Sequence, residues 1–120
     1  MKNISFALTT EQVRYREKTV TRRLGWFDVK AGDKLQAIVK GQGLKKGEKV
    51  EKICKILVTN VRRERLDALL ADSKYGNAEV KREGFPYMPP RQFVDIFLKA
   101  NRPCQQNWLV TRIEFVYVEE

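Results

Sequence analysis

The sequence predicts an α+β fold, a small mixed β-barrel with short helices inserted between its strands. Five or so stretches alternate in hydrophobicity or gather β-branched residues, as strands do. The helical signals are short and fall between those stretches, and no βαβ unit repeats, which excludes a doubly wound parallel sheet. At 120 residues the chain suits one domain spanning 1–120. No internal repeat, linker or low-complexity tract interrupts it.

In chain order, Ile4-Ser5-Phe6-Ala7-Leu8 alternates apolar with small residues and predicts a first strand. Thr9 or Thr10 then offers an N-cap ahead of Glu11 and Gln12, predicting a short helix from Thr10 to about Glu17. The β-branched run Thr19-Val20-Thr21 disfavours helix, so Lys18 to Arg23 is expected as a strand. Gly25, Gly32 and Asp33 punctuate the next stretch, and Lys34 to Val39 resumes as a strand. Gly41 to Gly47 is a glycine-rich basic loop without the spacing of a phosphate-binding loop, and a mobile hairpin connection is expected there.

Val50 to Val61 alternates with apolar residues on both parities, which predicts a long central strand that bends within a barrel. Arg65 to Ala71 has helical spacing, and Asp72 to Lys81 reads as an irregular surface segment. Pro89 and Pro90 suit a first helical turn, after which Phe93, Ile96 and Phe97 give one buried face. Asn101-Arg102-Pro103 ends that helix. Trp108 to Val118 alternates strongly and closes the fold as a strand.

The formal charge is +9, from 24 Lys and Arg against 15 Asp and Glu. Such a surplus favours polyanionic partners, since neutralising phosphates releases counterions. Lys40, Lys45, Lys46, Lys49, Lys52 and Lys55 cluster, as do Arg62, Arg63 and Arg65; the plainer reading of both clusters is a solvated face. Two cysteines and no histidine exclude the usual four-ligand zinc sites, and the residues imply neither metal nor cofactor. The missing histidine also removes the commonest general base, leaving Lys, Thr, Tyr, Glu or Asp for any catalysis. Cys54 reads as a small buried hydrophobe and Cys104 as a loop residue, with no disulfide expected between them in the cytoplasm. No run reaches the length of a membrane span and the first residues carry no secretory signal, so a soluble cytoplasmic protein without membrane partners is expected.

One stretch fits neither helical nor strand periodicity. Arg16-Glu17-Lys18-Thr19-Val20-Thr21-Arg22-Arg23 crowds five ionisable groups and two hydroxyls around one apolar residue. Core packing does not select such residues, and the segment reads as the floor of a binding site. With Gly32-Asp33 entering a strand, Glu83-Gly84-Phe85 before the helix bearing Phe93, and the final Ile113-Glu114-Phe115 strand, it resembles the ASCH domain family, a branch of the PUA-like superfamily.

That resemblance implies a PUA-like barrel with a cleft for RNA or a modified nucleoside or nucleotide, with other nucleic acid as a further possibility. One small branch is similar to N(4)-acetylcytidine amidohydrolase, whose Lys, Thr and Glu fall here on Lys18, Thr21 and Glu83; Arg23 also matches an Arg of that branch. The chain departs from it in Arg22, where the branch has an aliphatic residue, and in the longer basic loop from Gly41 to Lys49. Chemically, Thr is a nucleophile when a base takes its proton, a Lys among cations in a desolvated cleft loses its own proton more easily, and a buried Glu can protonate a leaving amine.

These residues support three functional readings. The first is ligand or nucleic-acid binding without chemistry, using Arg22, Arg23, Trp26, Lys45, Lys46 and Tyr87. The second is an amidohydrolase using Lys18, Thr21 and Glu83, and the third a protein-interaction domain. Each residue also has an ordinary use: Lys18 as an apolar stem over the surface, Thr21 as a strand threonine, Glu83 as an ion-pair partner of Arg82 or Arg23, Trp26 and Tyr87 as core or rim packing. Residues i and i+3 of a regular strand face opposite sides, so the catalytic reading requires Lys18 to sit on the turn into the strand.

Overall fold

The computed structural model describes residues 1–119. In chain order these form β1 (Lys2–Ser5), α1 (Thr10–Arg14), β2 (Val20–Arg23), β3 (Lys34–Ile38), β4 (Lys52–Arg65), α2 (Ala68–Ala71), α3 (Ser73–Arg82), α4 (Pro90–Ala100) and β5 (Leu109–Tyr117). The strands make one mixed five-stranded sheet in the order β1-β3-β4-β5-β2. β1 runs parallel to β3, and the other pairings are antiparallel. β4 is the spine, pairing β3 through its first half and β5 over most of its length. The predicted bend is a register shift between Val58 and Asn60, the kind of irregularity that increases local twist and lets a sheet curl.

The curl leaves β1 and β2 as the two edges, and a side chain spans the seam between them. The Arg23 guanidinium donates to the Ser5 carbonyl of β1 at 2.6 Å and to Thr21 Oγ1 of its own strand at 3.0 Å. It lies 5.0 Å over the Phe6 ring, which holds its carbon stem against apolar surface.

Alternation along the strands sorts the interior into two cores. Ile4, Phe6, Leu35, Ile56, Ile113 and Phe115 fill the concave side with Val13 of α1. Leu66, Leu69, Val80, Phe93, Phe97 and Val110 pack the helices against the far ends of β4 and β5. Cys104 belongs to this second core and Cys54 packs against the first, with no disulfide between them.

Several boundaries differ from the sequence expectation. The first strand starts and ends earlier, and α1 stops at Arg14 because Arg16 adopts φ +61°, which reverses the chain before Glu17. The helix expected from Arg65 is confined to Ala68–Ala71, since β4 runs on to Arg65. The segment expected to be irregular, Asp72 to Lys81, is helix α3. Its start is fixed by Asp72, whose carboxylate accepts from the Lys74 and Tyr75 amides. It packs closely on α2 because a Cβ at Gly76 would run into the Leu69 carbonyl oxygen. On α4, Phe93 and Phe97 are buried as expected, whereas Ile96 is 36% exposed and looks onto a cleft.

Candidate functional site

Lys18 reaches its place through the turn that ends α1. The Glu17 and Lys18 amides both donate to the Gln12 carbonyl, the Thr19 amide donates to the Arg82 carbonyl at 2.8 Å, and the Tyr117 hydroxyl holds the Lys18 carbonyl. Lys18 therefore precedes β2 rather than lying within it, which meets the condition set by strand parity. Glu83 arrives from the other side, at the C-cap of α3. Gly84 lets it come close: its φ is +104°, and a Cβ there would meet Gln12 Cγ at 2.8 Å and Cβ at 2.9 Å.

Lys18 Nζ donates to the Glu83 carbonyl at 2.8 Å and to Glu83 Oε1 at 2.7 Å, with both residues nearly inaccessible to solvent. Glu83 Oε2 accepts from Arg22 at 2.9 Å. Arg22 also donates to Glu64 at 2.6 Å and to Glu79, so one guanidinium joins three carboxylates. Register explains why so many are needed: Arg22 on β2 and Arg62 on β4 both lie opposite Arg112 on β5, like charges side by side across three strands. Glu79 from α3 bridges Arg22 and Arg112, Glu114 takes Arg112 and Arg82, and the Tyr75 hydroxyl joins Glu64 to Arg62.

Burial pushes the Lys18 amine below its ordinary pKa, with Arg23 and Arg22 adding repulsion against the opposing pull of Glu83. Burial likewise brings Arg23 down to about 10, which leaves it cationic at neutral pH. It also opposes charge on Arg22, but the three carboxylates outweigh it and hold that group above its usual value. Glu79, also penalised by burial, is drawn down to about 2 by Arg112 and Arg22. Arg22 Nε has no hydrogen-bond partner although it is buried, alone in this among side-chain nitrogens and oxygens of the described residues. Buried ion pairs with an orphaned donor contribute little net stability. Titratable groups shifted by desolvation and specific partners in a cleft are characteristic of working sites.

The network opens into a cavity of about 250 Å³ at the seam between β1 and β2. Lys18, Thr21, Arg22, Arg23 and Glu83 supply its polar side. Phe85, Phe93, Ile96, Phe97 and Ala100 supply an apolar wall, and residues 5–9 border it. Thr21 Oγ1 accepts from Arg23 Nε; no hydrogen bond joins Thr21 to Lys18. A neutral amine has two N–H donors and one lone pair, and the two Lys18 bonds to Glu83 use only donors.

Trp26, Lys45, Lys46 and Tyr87 do not join this cavity. Trp26 follows the β2–β3 turn into a different cleft, Lys45 and Lys46 are exposed on the β3–β4 connection, and the Tyr87 side chain is 97% exposed. Sequence reasoning missed Glu64, Tyr75, Glu79 and Arg112. The one available signal was Glu79 with Glu83, four apart and hence on one helical face. Among the described residues no cluster of three or more His, Cys, Asp or Glu is placed to hold a metal, and no helix is long and apolar enough to cross a membrane.

No protein-family model matches the chain, and no curated protein matches it. Solved structures do. A hypothetical protein, PH0355, superposes with a TM-score of 0.64 at 16% identity over 98% of this chain and 96% of its own. An ASCH domain from Lactobacillus crispatus JV V101 gives 0.59 at 13% identity over 97% and 78%. Protein EF3133 from Enterococcus faecalis V583, of the DUF984 family, gives 0.53 at 14% over 98% and 79%. At these identities the likeness establishes a shared fold.

Proposed function

We propose, from a chain that carries the fold of an ASCH domain, that the cleft binds a small planar amide of the N(4)-acylated cytidine class and hydrolyses it. The observation that carries this reading is the convergence of Lys18, Thr21 and Glu83 on one cavity, with the Lys18 amine buried and its pKa lowered. Lys18 and Arg22 are answered by Glu83, Glu64 and Glu79 behind the cavity. Arg23 pairs with no carboxylate among the described residues and is held by Thr21 and the Ser5 carbonyl, so the cavity offers a single unmatched cation. That suits a polar neutral group such as an acyl amide better than a phosphate chain. The apolar wall suits the flat face of a base and its acyl group.

In this mechanism the Lys18 lone pair accepts the Thr21 hydroxyl proton as Oγ1 attacks the acyl carbon. Arg23, already donating to Oγ1, stabilises the charge that Oγ1 takes on as its proton leaves. The C–N bond then breaks and the leaving amine takes the proton from the Lys18 ammonium. Water, deprotonated by Lys18, then attacks the acyl carbon, the acyl C–Oγ1 bond breaks, and the Lys18 ammonium returns its proton to Thr21 Oγ1, so that the acyl group leaves as a carboxylic acid. Glu83 accepts from both Lys18 and Arg22, so its part here is to orient Lys18 and stabilise its ammonium. That replaces the proton-donor role the sequence suggested.

Purified protein incubated with N(4)-acetylcytidine should release cytidine and acetate. Thr21→Ala and Lys18→Ala should each remove nearly all of that rate, because the two act as a unit. Ligand bound without turnover points to the second reading, a binding cleft in which the Lys18–Glu83 pair is structural. Neither binding nor turnover refutes both.

A further inference from the structure

Lys18, Arg22 and Arg23 line the cleft at the β1–β2 seam, and of the three Arg23 alone forms no ion pair among the described residues. Glu83, the one carboxylate on the lining, is shared by Lys18 and Arg22. A cation withdrawn from water without a partner is costly. Burial is the main reason the Arg23 guanidinium is brought down to about 10, and an anion seated beside it would relieve that penalty.

The hydrogen bonds of Arg23 leave donors over. Nε donates to Thr21 Oγ1 and Nη2 to the Ser5 carbonyl, while Nη1 has no partner among the described residues. Arg22 Nε is the one sealed side-chain nitrogen or oxygen without a partner there, so Nη1 of the half-buried Arg23 is reached by solvent. The Phe6 ring covers one face of the guanidinium, which leaves its edge for a ligand. Thr21 Oγ1 accepts from Nε and donates to no described group, so the hydroxyl proton is a second free donor at the same place.

Beyond this polar end Phe85 and, from α4, Phe93, Ile96 and Phe97 supply hydrocarbon surface, with Ile96 still 36% exposed. The matching ligand has one negative charge, oxygen acceptors for two donors, and an apolar tail. A phosphate chain brings more charge than one guanidinium answers, and an amine brings the wrong sign.

We propose that the cleft binds an aliphatic monocarboxylate, with its carboxylate on Arg23 Nη1 and the Thr21 hydroxyl and its chain along the α4 wall. The binding stands on the cavity alone; its consequence for turnover rests on the hydrolytic reading above. There the acid released from Thr21 is itself a monocarboxylate, so the product holds the cleft after the reaction, and acids with longer chains restrain turnover more.

Nitrogen NMR of the Arg23 Nε–H, assigned with Arg23→Met and followed at neutral pH while acetate, butanoate or hexanoate is added, reads the binding without any reaction. The resonance should move with each acid. Affinity should rise roughly two- to fourfold per methylene, the upper figure being full burial of one CH2. Hexanamide, which keeps the chain and lacks the charge, should bind about tenfold or more weakly, the usual worth of a charged hydrogen bond. Because Arg23 also ties β2 to β1, Ile96→Glu supplies a second variant. It alters a partly exposed side chain on α4 and sets a negative charge on the wall, and it should weaken hexanoate at least as much. Hexanoate should also inhibit release of cytidine competitively, with an inhibition constant equal to its dissociation constant. An Arg23 resonance that ignores hexanoate, equal affinity for hexanoate and hexanamide, or undiminished binding in Ile96→Glu would overturn the proposal. Protein that hydrolyses N(4)-acetylcytidine yet fails these tests keeps the hydrolytic reading and loses this one. Protein that binds hexanoate on Arg23 but turns nothing over does the reverse.

Discussion

Replacing Glu79 with alanine should cost about 3 to 4 kcal/mol at neutral pH. The side chain is buried, accepts from both Arg22 and Arg112, and has a pKa drawn from its ordinary 4.5 to about 2. That displacement corresponds to about 3 kcal/mol of stability. Independently, breaking a buried pair from one side costs about 3 to 5 kcal/mol, because the abandoned charge stays buried. Arg112 would keep only Glu114, while Arg22 would keep Glu83 and Glu64. Urea denaturation followed by circular dichroism measures the loss, and a thermal scan should show a fall on the order of 10 to 15 °C. The sign with pH is fixed: a depressed carboxyl stabilises fully above its unfolded pKa and loses that contribution as pH falls through the folded one. The gap between wild type and Glu79→Ala should therefore be full above about pH 4.5 and close toward pH 2. A gap under about 1 kcal/mol at pH 7, the range of exposed ion pairs, would refute the reasoning, as would one that does not shrink in acid.

Gly84→Ala should destabilise by about 1 to 3 kcal/mol, since both its φ and the Gln12 contact forbid a Cβ, and should reduce turnover by parting Glu83 from Lys18; an unchanged melt would contradict this. Arg23→Met should cost about 1.5 to 3 kcal/mol through the lost charged hydrogen bond to Ser5 and should speed amide exchange in β1. It should also slow acyl release on the order of a hundredfold through loss of the donor to Thr21, and a full-rate variant would remove Arg23 from the mechanism.

What was legible in the sequence was whatever apolar periodicity encodes. β5 and β4 show their alternation directly, and α4 shows two prolines at its start and Phe93 with Phe97 on one face. Helix α3 was hidden because its inward face presents Glu79 and Gly76 along with Val80, so a buried ion pair stands where an apolar residue would have signalled a helix. The placement of Lys18 was equally hidden: the reversal before β2 rests on Arg16 at positive φ, which no glycine or asparagine announces. Lys18, Thr21 and Glu83 were singled out through resemblance to a family. The network behind them depends on strand register, which sets Arg22, Arg112 and Arg62 side by side, and no local pattern in the chain records that.

The account turns on the Lys18 amine giving up its proton readily inside the fold. Nitrogen NMR of the lysine side-chain amines, assigned with Lys18→Arg and followed across pH, reads this without any substrate. Lys18 should titrate below the exposed lysines and below the ordinary value of about 10.4, because burial and the neighbouring Arg23 and Arg22 oppose its charge. A Lys18 that keeps its proton as long as the exposed lysines do, or longer, would contradict the account and leave its pair with Glu83 a structural one.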